Sequence, residues 1–219
     1  MERCVHNAVS NHLAENKKIS INQAAYTPGC STITQLTEIY HIIQTALDQS
    51  KEICFIFCDC SKAFDRVWHK GALFKLQRAG ITGTLLKWFE NYLNGRKQRV
   101  VINGKNSDFN TIQAGVPQGS ILGPLIFLLY IDNLTEVIKT NIRLYADDSC
   151  IYTDYQDPKD AAKHLEEDIS RIEKWASKWF VTFNPAKTES VTFSRKKDKT
   201  NPELKMQGTT IINLKVISI

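Results

Sequence analysis

Apolar residues recur at helical spacing in several stretches of the chain. Val5, Val9 and Leu13 lie four residues apart and predict an amphipathic helix near the first residue. A second helix is expected to begin at Thr32, as its cap, and to reach Leu47. The same reasoning predicts further helices over residues 69–79, 84–93, 125–129 and 158–178. The helix at 125–129 is apolar throughout and is expected to be buried.

Other stretches have the composition of strands. Residues 53–58 (ICFIFC) are apolar throughout and predict a buried strand, which Asp59 follows directly. Residues 99–102 and 190–194 predict two more strands, the first of them followed by a turn at Asn103 and Gly104. Helices and strands that mix in this way predict an α+β fold whose antiparallel sheet packs on helices.

Two adjacent carboxylates, Asp147 and Asp148, lie between apolar strand-forming flanks in residues 142–152 (IRLYADDSCIY). At the tip of a hairpin both side chains can project into one cleft, where their oxygens suit magnesium. A solvated turn is the commoner role of such a pair. Asp59 makes a metal site more favourable than a solvated turn, because a charge that ends an apolar strand is unfavourable unless it is paired or bound to metal. Three carboxylates on two neighbouring strands predict a two-metal site, the alternative being that Asp59 caps the next helix.

Composition narrows the class of protein without naming a function. The 219 residues suffice for one large domain or two intimate subdomains, and a net charge of +5 is compatible with a polyanionic partner. The six cysteines lack CxxC spacing, which favours buried free thiols and an intracellular compartment, cytoplasm or nucleus. The longest apolar run, residues 121–131, is far shorter than the roughly 20 residues that span a bilayer. We therefore expect no membrane association and no secretory signal.

Three motifs occur in a diagnostic order: residues 57–65 (FCDCSKAFD), 114–124 (AGVPQGSILGP) and 145–148 (YADD). They resemble motifs A, B and C of a reverse transcriptase palm. Over nearly its whole length the chain is similar to the reverse transcriptase domains of non-LTR (LINE-type) retrotransposons, especially the jockey-like group.

The resemblance implies a division of the chain. We expect a partial fingers region over residues 1–50 and a palm with motifs A to D over residues 51–194, with an insertion at about 80–113. Residues 195–219 would form a degenerate primer grip that is truncated before a thumb, so that the thumb is absent.

The resemblance also implies a chemistry. The function expected is RNA-directed DNA polymerase, and Asp59, Asp147 and Asp148 would be the catalytic metal ligands. They would hold two magnesium ions, for which manganese can substitute, during transfer of a nucleotide to a primer 3′-hydroxyl. The expected partners are an RNA template, a DNA primer and deoxynucleoside triphosphates. Asp65 is expected to pair with a nearby basic side chain rather than with metal.

Four further residues are candidates for substrate binding on the same resemblance. Phe64 matches an aromatic gate that excludes the ribose 2′-hydroxyl, or it is a core aromatic. Gln118 and Gly119 match the loop under the templating base and incoming nucleotide, or form an ordinary glycine-rich turn. Lys187 matches a lysine that protonates the pyrophosphate leaving group, or is a surface lysine. The basic residues 96–99 could contact phosphates, or guard a strand edge.

Two departures from the family favour a different function. Relatives read QFGFR-x-G-x-S-T where this chain has QAAYTPGCST in residues 23–32, so Thr27 replaces an arginine that would clamp the triphosphate. Residues 214–219 resemble the primer grip only loosely. The alternative is a non-catalytic retrotransposon-derived remnant with at most weak nucleic-acid binding.

Overall fold

The computed structural model describes residues 1–27, 29–196 and 201–214. Its helices are α1 Glu2–Glu15, α2 Thr32–Asp48, α3 His69–Arg78, α4 Gly83–Leu93, α5 Leu122–Ile131 and α6 Pro158–Trp179. Its strands are β1 Glu52–Cys58, β2 Lys97–Gln98, β3 Val101–Ile102, β4 Lys105–Asn106, β5 Asn110–Thr111, β6 Asn141–Tyr145, β7 Asp148–Tyr155, β8 Glu189–Phe193, β9 Lys205–Met206, β10 Thr209–Thr210 and β11 Ile212–Asn213. Every predicted helix is confirmed.

The chain folds as two units. The first unit contains Met1–Ile19 and Lys62–Ile131, and the second contains Ser20–Ser61 and Asp132–Ile219. The division into fingers, palm and primer grip stays a prediction. Within the predicted primer grip at 195–219, residues 197–200 and 215–219 lie outside the described residues.

The first unit is built around α5. Every residue of α5 except Pro124 is buried, and α1 and α3 pack against it. Gly71 on α3 allows this packing, because a Cβ there would lie 2.6 Å from the Trp68 ring and 3.1 Å from the Tyr130 ring. An apolar helix without an exposed face is therefore the core of this unit.

A solvent-exposed hairpin extends the first unit, and we call residues 94–111 the basic hairpin. Strands β2 and β5 pair within it, as do β3 and β4. Its tip has positive φ angles at Asn103 (50°) and Gly104 (75°), as the predicted Asn-Gly turn requires. All its side chains are exposed, and the Arg99 guanidinium lies 4.9 Å from the centre of the Phe109 ring.

The second unit contains a five-stranded sheet with the order β11-β8-β1-β7-β6. β1 lies at its centre and pairs antiparallel with β7 and β8, and β6 pairs antiparallel with β7. β11 pairs parallel with β8, so the sheet is mixed rather than antiparallel throughout. β1 is buried on both faces except at Phe57, which explains why residues 53–58 are apolar without alternation.

Helices α2 and α6 complete the second unit. Ile43 and Leu47 of α2 pack with Phe55, Cys150 and Tyr152 of the sheet. The predicted cap of α2 is displaced by one residue, because the Ser31 hydroxyl accepts from the Thr34 N–H and Thr32 is the first helical residue. α6 packs against β7.

Two further expectations concern the whole chain. All six cysteines are free, as their spacing predicted, but the expectation that they are buried holds only for Cys54, Cys58 and Cys150, since Cys4 and Cys30 are exposed. Within the described residues, no helix combines the length and the apolar character needed to cross a membrane.

Candidate active site

The adjacent carboxylates lie at a hairpin turn, as the sequence predicts. Tyr145 pairs with Asp148, so Ala146 and Asp147 form a two-residue connection between β6 and β7. Ala146 has φ 55°, a left-handed conformation that is unfavourable for a residue with a Cβ. Short hairpin turns require this sign of φ because it matches the twist of the strands. The turn that presents the carboxylates therefore contains local backbone strain.

Asp59 lies at the same end of the sheet. It directly follows β1, whose last residue, Cys58, pairs with Ser149 of β7. Continuing this register by one residue aligns Asp59 with Asp148. The Asp59 carbonyl accepts a hydrogen bond from Asn184 N at 2.9 Å. The alternative cap role is wrong, because Ala63 is the N-cap of the next helical turn.

The three carboxylates interact electrostatically. Burial raises the pKa of Asp148, and the neighbouring charges of Asp147 and then Asp59 raise that pKa further. A cation among these hard oxygen ligands would relieve the repulsion, so their chemistry fits magnesium. Among the described residues, however, no three acidic, histidine or cysteine side chains form a ready-made metal-binding group. The carboxylates are thus candidate metal ligands, but their oxygens are not yet positioned to coordinate one ion together.

A cavity of about 470 Å³ adjoins these carboxylates within the second unit. Asp59, Asp148 and Lys187 line it together with apolar side chains of α2 and of the sheet. Lys187 ends a short helical turn, Pro185–Lys187, and its side chain is exposed. The predicted motif D lysine therefore shares a cavity with two of the three predicted metal ligands.

Phe64 belongs to the first unit and has a packing partner there. Its half-buried ring lies 4.6 Å from the ring of Phe127, centre to centre. This contact gives Phe64 the core role that the sequence left open. Its half-exposed ring also leaves surface for a substrate to contact, so the gate role stays a prediction.

The loop with Gln118 and Gly119 approaches backbone closely, as its glycines predict. A Cβ at Gly115 (φ +91°) would lie 2.6 Å from the carbonyl oxygen of Asp65, and the Gly115 N–H donates to the Val67 carbonyl at 2.8 Å. What the glycine approaches is thus the protein's own backbone. Gln118 Nε2 donates to Asp65 Oδ1 at 2.9 Å, a partner for Asp65 that sequence reasoning missed.

The same loop lines a second cavity, which lies within the first unit. Its volume is about 610 Å³, and Lys62, Arg96 and Gln118 contribute polar groups to its wall. Gly119 is exposed at φ +75° with open space where a Cβ would be. Gln118 and Gly119 are therefore accessible to a ligand.

Sequence reasoning also missed the role of Gln23 and of the residues around it. Gln23 is 2% exposed, which is unusual for a glutamine, and Thr27 Oγ1 donates to its carbonyl at 3.2 Å. Thr27 therefore closes a local turn at the position where the family resemblance led us to expect an arginine. The only signal in the sequence was the match of Gln23 to the first residue of the family motif, which gave it no role.

Comparisons with known proteins agree with this geometry. Residues 1–211 match the family described as reverse transcriptase (RNA-dependent DNA polymerase). The chain is 33% identical, over 80% of its length, to the Drosophila melanogaster protein described as "Probable RNA-directed DNA polymerase from transposon X-element". It is 30% identical, over 90% of its length, to the RNA-directed DNA polymerase from mobile element jockey of the same species. It spans 20% and 22% of the lengths of these two relatives.

Solved structures add evidence about the fold alone. Telomerase from Candida albicans, in complex with a fragment of telomeric RNA, superimposes with a TM-score of 0.65 at 13% identity over 94% of this chain and 37% of that one. Apo telomerase from Candida tropicalis, truncated from its C-terminal domain, gives 0.60 at 16% identity over 95% and 43%. The mixed helices and sheet are thus a reverse transcriptase-like fold. The chain belongs to the reverse transcriptase (RNA-dependent DNA polymerase) family, and the expected relationship to non-LTR retrotransposons is confirmed.

Proposed function

We propose that this chain is the core of an RNA-directed DNA polymerase that extends a DNA primer on an RNA template with deoxynucleoside triphosphates. The observation that carries the proposal is the position of the three carboxylates at one end of the sheet: Asp59 and Asp148 line one cavity, and Asp147 lies next to Asp148 in the hairpin turn. Carboxylates grouped in this way in a reverse transcriptase fold are the arrangement expected of a divalent-metal site. The free cysteines support an intracellular site of action.

Asp59, Asp147 and Asp148 would hold the metal ions. Magnesium, for which manganese can substitute, would supply electrostatic stabilisation of the phosphoryl oxygens and would activate the primer 3′-hydroxyl. Lys187, on the wall of the same cavity, donates a proton to the departing pyrophosphate. The apolar side chains on that wall exclude water, which strengthens the interaction of charged groups with the substrate.

Residues of the first unit select the substrate in this proposal. The half-exposed Phe64 ring excludes a 2′-hydroxyl, and Gln118 with Gly119 contacts the templating base and the incoming nucleotide. Support comes from the exposure of Gln118 and Gly119 and from the open space beside Gly119. In subdomain terms, the second unit's sheet would belong to the palm, and the basic hairpin would lie in the fingers/palm insertion at about 80–113.

A primer-extension assay tests the polymerase proposal. The purified chain is incubated with a DNA primer on a homopolymer RNA template, first with magnesium and then with manganese. We expect metal-dependent extension that Asp148→Asn reduces to background. Gln44→Met, a change on the distant part of α2, serves as the control and should extend as the wild type does. Extension that survives Asp148→Asn would contradict the assignment of the carboxylates.

A non-catalytic nucleic-acid-binding protein is the second candidate, and Thr27 favours it. Threonine lacks the planar fork that would hold a triphosphate, and its hydroxyl already donates to the Gln23 and Ala25 carbonyls. The basic hairpin, with Arg96, Lys97, Arg99 and Lys105 against one Asp108, carries three of the net five positive charges of the chain.

Binding and extension together separate the two candidates. Primer–template binding, measured by fluorescence anisotropy at several salt concentrations, should weaken as salt rises. Replacing Arg99 with alanine should reduce the slope of log affinity against log salt by about 1 if it contacts a phosphate. Salt-sensitive binding without metal-dependent extension would identify the non-catalytic function, and Thr27→Arg would then show whether the triphosphate contact is what is missing.

A further inference from the structure

One buried side chain connects a distant segment to the turn that presents the carboxylates. Gln23 Oε1 accepts a hydrogen bond from the N–H of Ala146 at 3.1 Å and another from the N–H of Ala25 at 3.0 Å. Gln23 is 2% exposed, so both bonds are shielded from water. Because only the amide oxygen can accept two N–H groups, these contacts also fix the orientation of the side-chain amide.

The backbone around Gln23 places this side chain. The Leu144 N–H donates to the Asn22 carbonyl at 2.8 Å, and the Ala24 N–H donates to the Leu144 carbonyl at 3.0 Å. These two bonds form a parallel bridge between Gln23 and Leu144 beside β6. The segment thus runs alongside the strand that enters the turn, and the Gln23 side chain continues from it to Ala146.

Ala146 is the residue that most needs such support. Its left-handed conformation (φ 55°) is unfavourable for alanine, and it immediately precedes Asp147 and Asp148. An N–H in this buried position without an acceptor would add a further penalty. The Gln23 oxygen supplies this acceptor to Ala146 in its left-handed conformation.

We propose that Gln23 is a positioning residue, whose amide oxygen holds the Ala146 turn in its left-handed conformation and so keeps Asp147 and Asp148 oriented for metal binding. The metal part of this inference rests on the proposed function, whereas the hydrogen-bond part does not. Gln23 Nε2 finds no hydrogen-bond partner among the described residues. The acceptor oxygen is therefore the group that accounts for a glutamine here.

Amide hydrogen exchange, followed by NMR, tests the hydrogen bond directly. Gln23→Met keeps the length of the side chain and removes the amide oxygen, so exchange at the Ala146 N–H should accelerate on the order of 10-fold. Gln23→Glu keeps an acceptor oxygen and should leave the protection close to that of the wild type. Gln44→Met is the matched control on α2 and should leave Ala146 unchanged. Unchanged protection of Ala146 in Gln23→Met overturns the proposal.

Manganese binding, measured by electron paramagnetic resonance, tests the consequence for the carboxylates. Loss of a group that orients a metal ligand typically lowers affinity 10–100-fold, so we expect at least a roughly 10-fold loss in Gln23→Met and recovery in Gln23→Glu. Should Gln23→Met fail to fold, Gln23→Asn, with the same amide on a side chain too short to reach, replaces it in both measurements.

The two measurements fail in different ways. Faster exchange at Ala146 with unchanged manganese affinity would refute the positioning role. If the wild type binds manganese no better than Asp148→Asn does, the proposed metal site is refuted, and the exchange data alone still decide whether Gln23 holds the turn.

Discussion

Asp168 on α6 is a fully buried carboxylate whose removal should destabilise the strand that leads to the candidate active site. Its two oxygens accept from the backbone N–H groups of Lys139 and Thr140, at 3.0 Å and 2.8 Å, and it pairs with Arg171. Residues 139–140 immediately precede β6, which carries the chain to the Asp147–Asp148 turn. We predict that Asp168→Ala weakens this connection and lowers the free energy of unfolding.

The contacts of Asp168 set the magnitude of the effect. Hydrogen bonds to a charged group contribute about 1.5–3 kcal/mol each. We count the full contribution of the hydrogen bond from the Thr140 N–H. Lys139 is exposed, so in the variant water replaces part of the hydrogen bond that its N–H makes to Asp168. Arg171 keeps a second partner, Glu167 at 3.1 Å. Asp168→Ala should therefore lower the free energy of unfolding by about 3 kcal/mol, and Asp168→Asn, which keeps one acceptor, by roughly half as much.

The pH dependence has a definite sign. Burial alone would raise the pKa of Asp168, but the backbone bonds from Thr140 and Lys139 and the Arg171 guanidinium outweigh burial and lower that pKa below its ordinary value. A carboxyl whose pKa is lowered in the folded state stabilises the fold above its unfolded pKa, about 3.9. This stability is lost as the pH falls through the lower folded pKa. The difference between wild type and Asp168→Asn should thus be full at pH 7 and narrow below about pH 4.

Urea unfolding followed by tryptophan fluorescence measures both effects, since Trp175 and Trp179 lie on the same helix as Asp168. Glu167→Gln is the matched control, because it removes the exposed partner of the same arginine and should change stability by no more than about 0.5 kcal/mol. Equal losses for Asp168→Ala and Glu167→Gln would refute the reasoning, as would a difference from Asp168→Asn that persists unchanged at pH 3.

Three further predictions use the same purified chain. Without divalent cations, Asp148→Asn should stabilise the fold at pH 7 and not at pH 3 in urea titrations, because a carboxyl with a raised pKa loses its stabilising contribution as the pH rises through that pKa. Gly115→Ala and Gly119→Ala each place a Cβ on a left-handed backbone, which should lower the free energy of unfolding by roughly 1–2 kcal/mol. Only the Cβ at Gly115 meets other backbone atoms, so Gly115→Ala should lose about 1–3 kcal/mol more than Gly119→Ala in thermal unfolding. Phe64→Val should increase ribonucleotide relative to deoxynucleotide incorporation in primer extension, and an unchanged ratio would leave Phe64 a packing residue.

Much of the fold was predictable because its signals are local. The spacing of apolar residues located the six α-helices of the described residues, and Asn103-Gly104 located a hairpin turn, since each pattern is decided by neighbours along the chain. The parallel pairing of β11 with β8 was not predictable, because strands of two residues carry no alternation to interpret. Nor could the exposed apolar residues of the basic hairpin be distinguished from buried ones by composition.

The sequence was enough to predict the candidate carboxylates, but not the hydrogen bond that supports the turn on which two of them lie. Asp59 stands out because a charge that ends an apolar strand is unfavourable unless it is paired or bound to metal, and Asp147 and Asp148 stand out only in combination with it. The partner of Ala146 is 123 residues away, and no periodic pattern connects a glutamine to a turn at that distance. The positive φ of Ala146 was equally hidden, because alanine gives no indication of a left-handed conformation.

The turn at Ala146 and Asp147 combines an unfavourable backbone conformation with unfavourable electrostatics. This explains why it needs a stabilising contact from elsewhere in the chain. The left-handed Ala146 is unfavourable by about 1–2 kcal/mol, and burial together with repulsion from Asp147 and Asp59 disfavours the charged form of Asp148, raising its pKa, until a cation is bound. Strand pairing fixes β6 and β7 but ends at Tyr145 and Asp148, so it cannot hold the two residues between them. Gln23 reaches one of those two residues from a segment that itself pairs with β6. Although Lys187 lines the same cavity, none of the ion pairs found among the described residues involves Asp59, Asp147 or Asp148, so their carboxylate oxygens remain available to a metal.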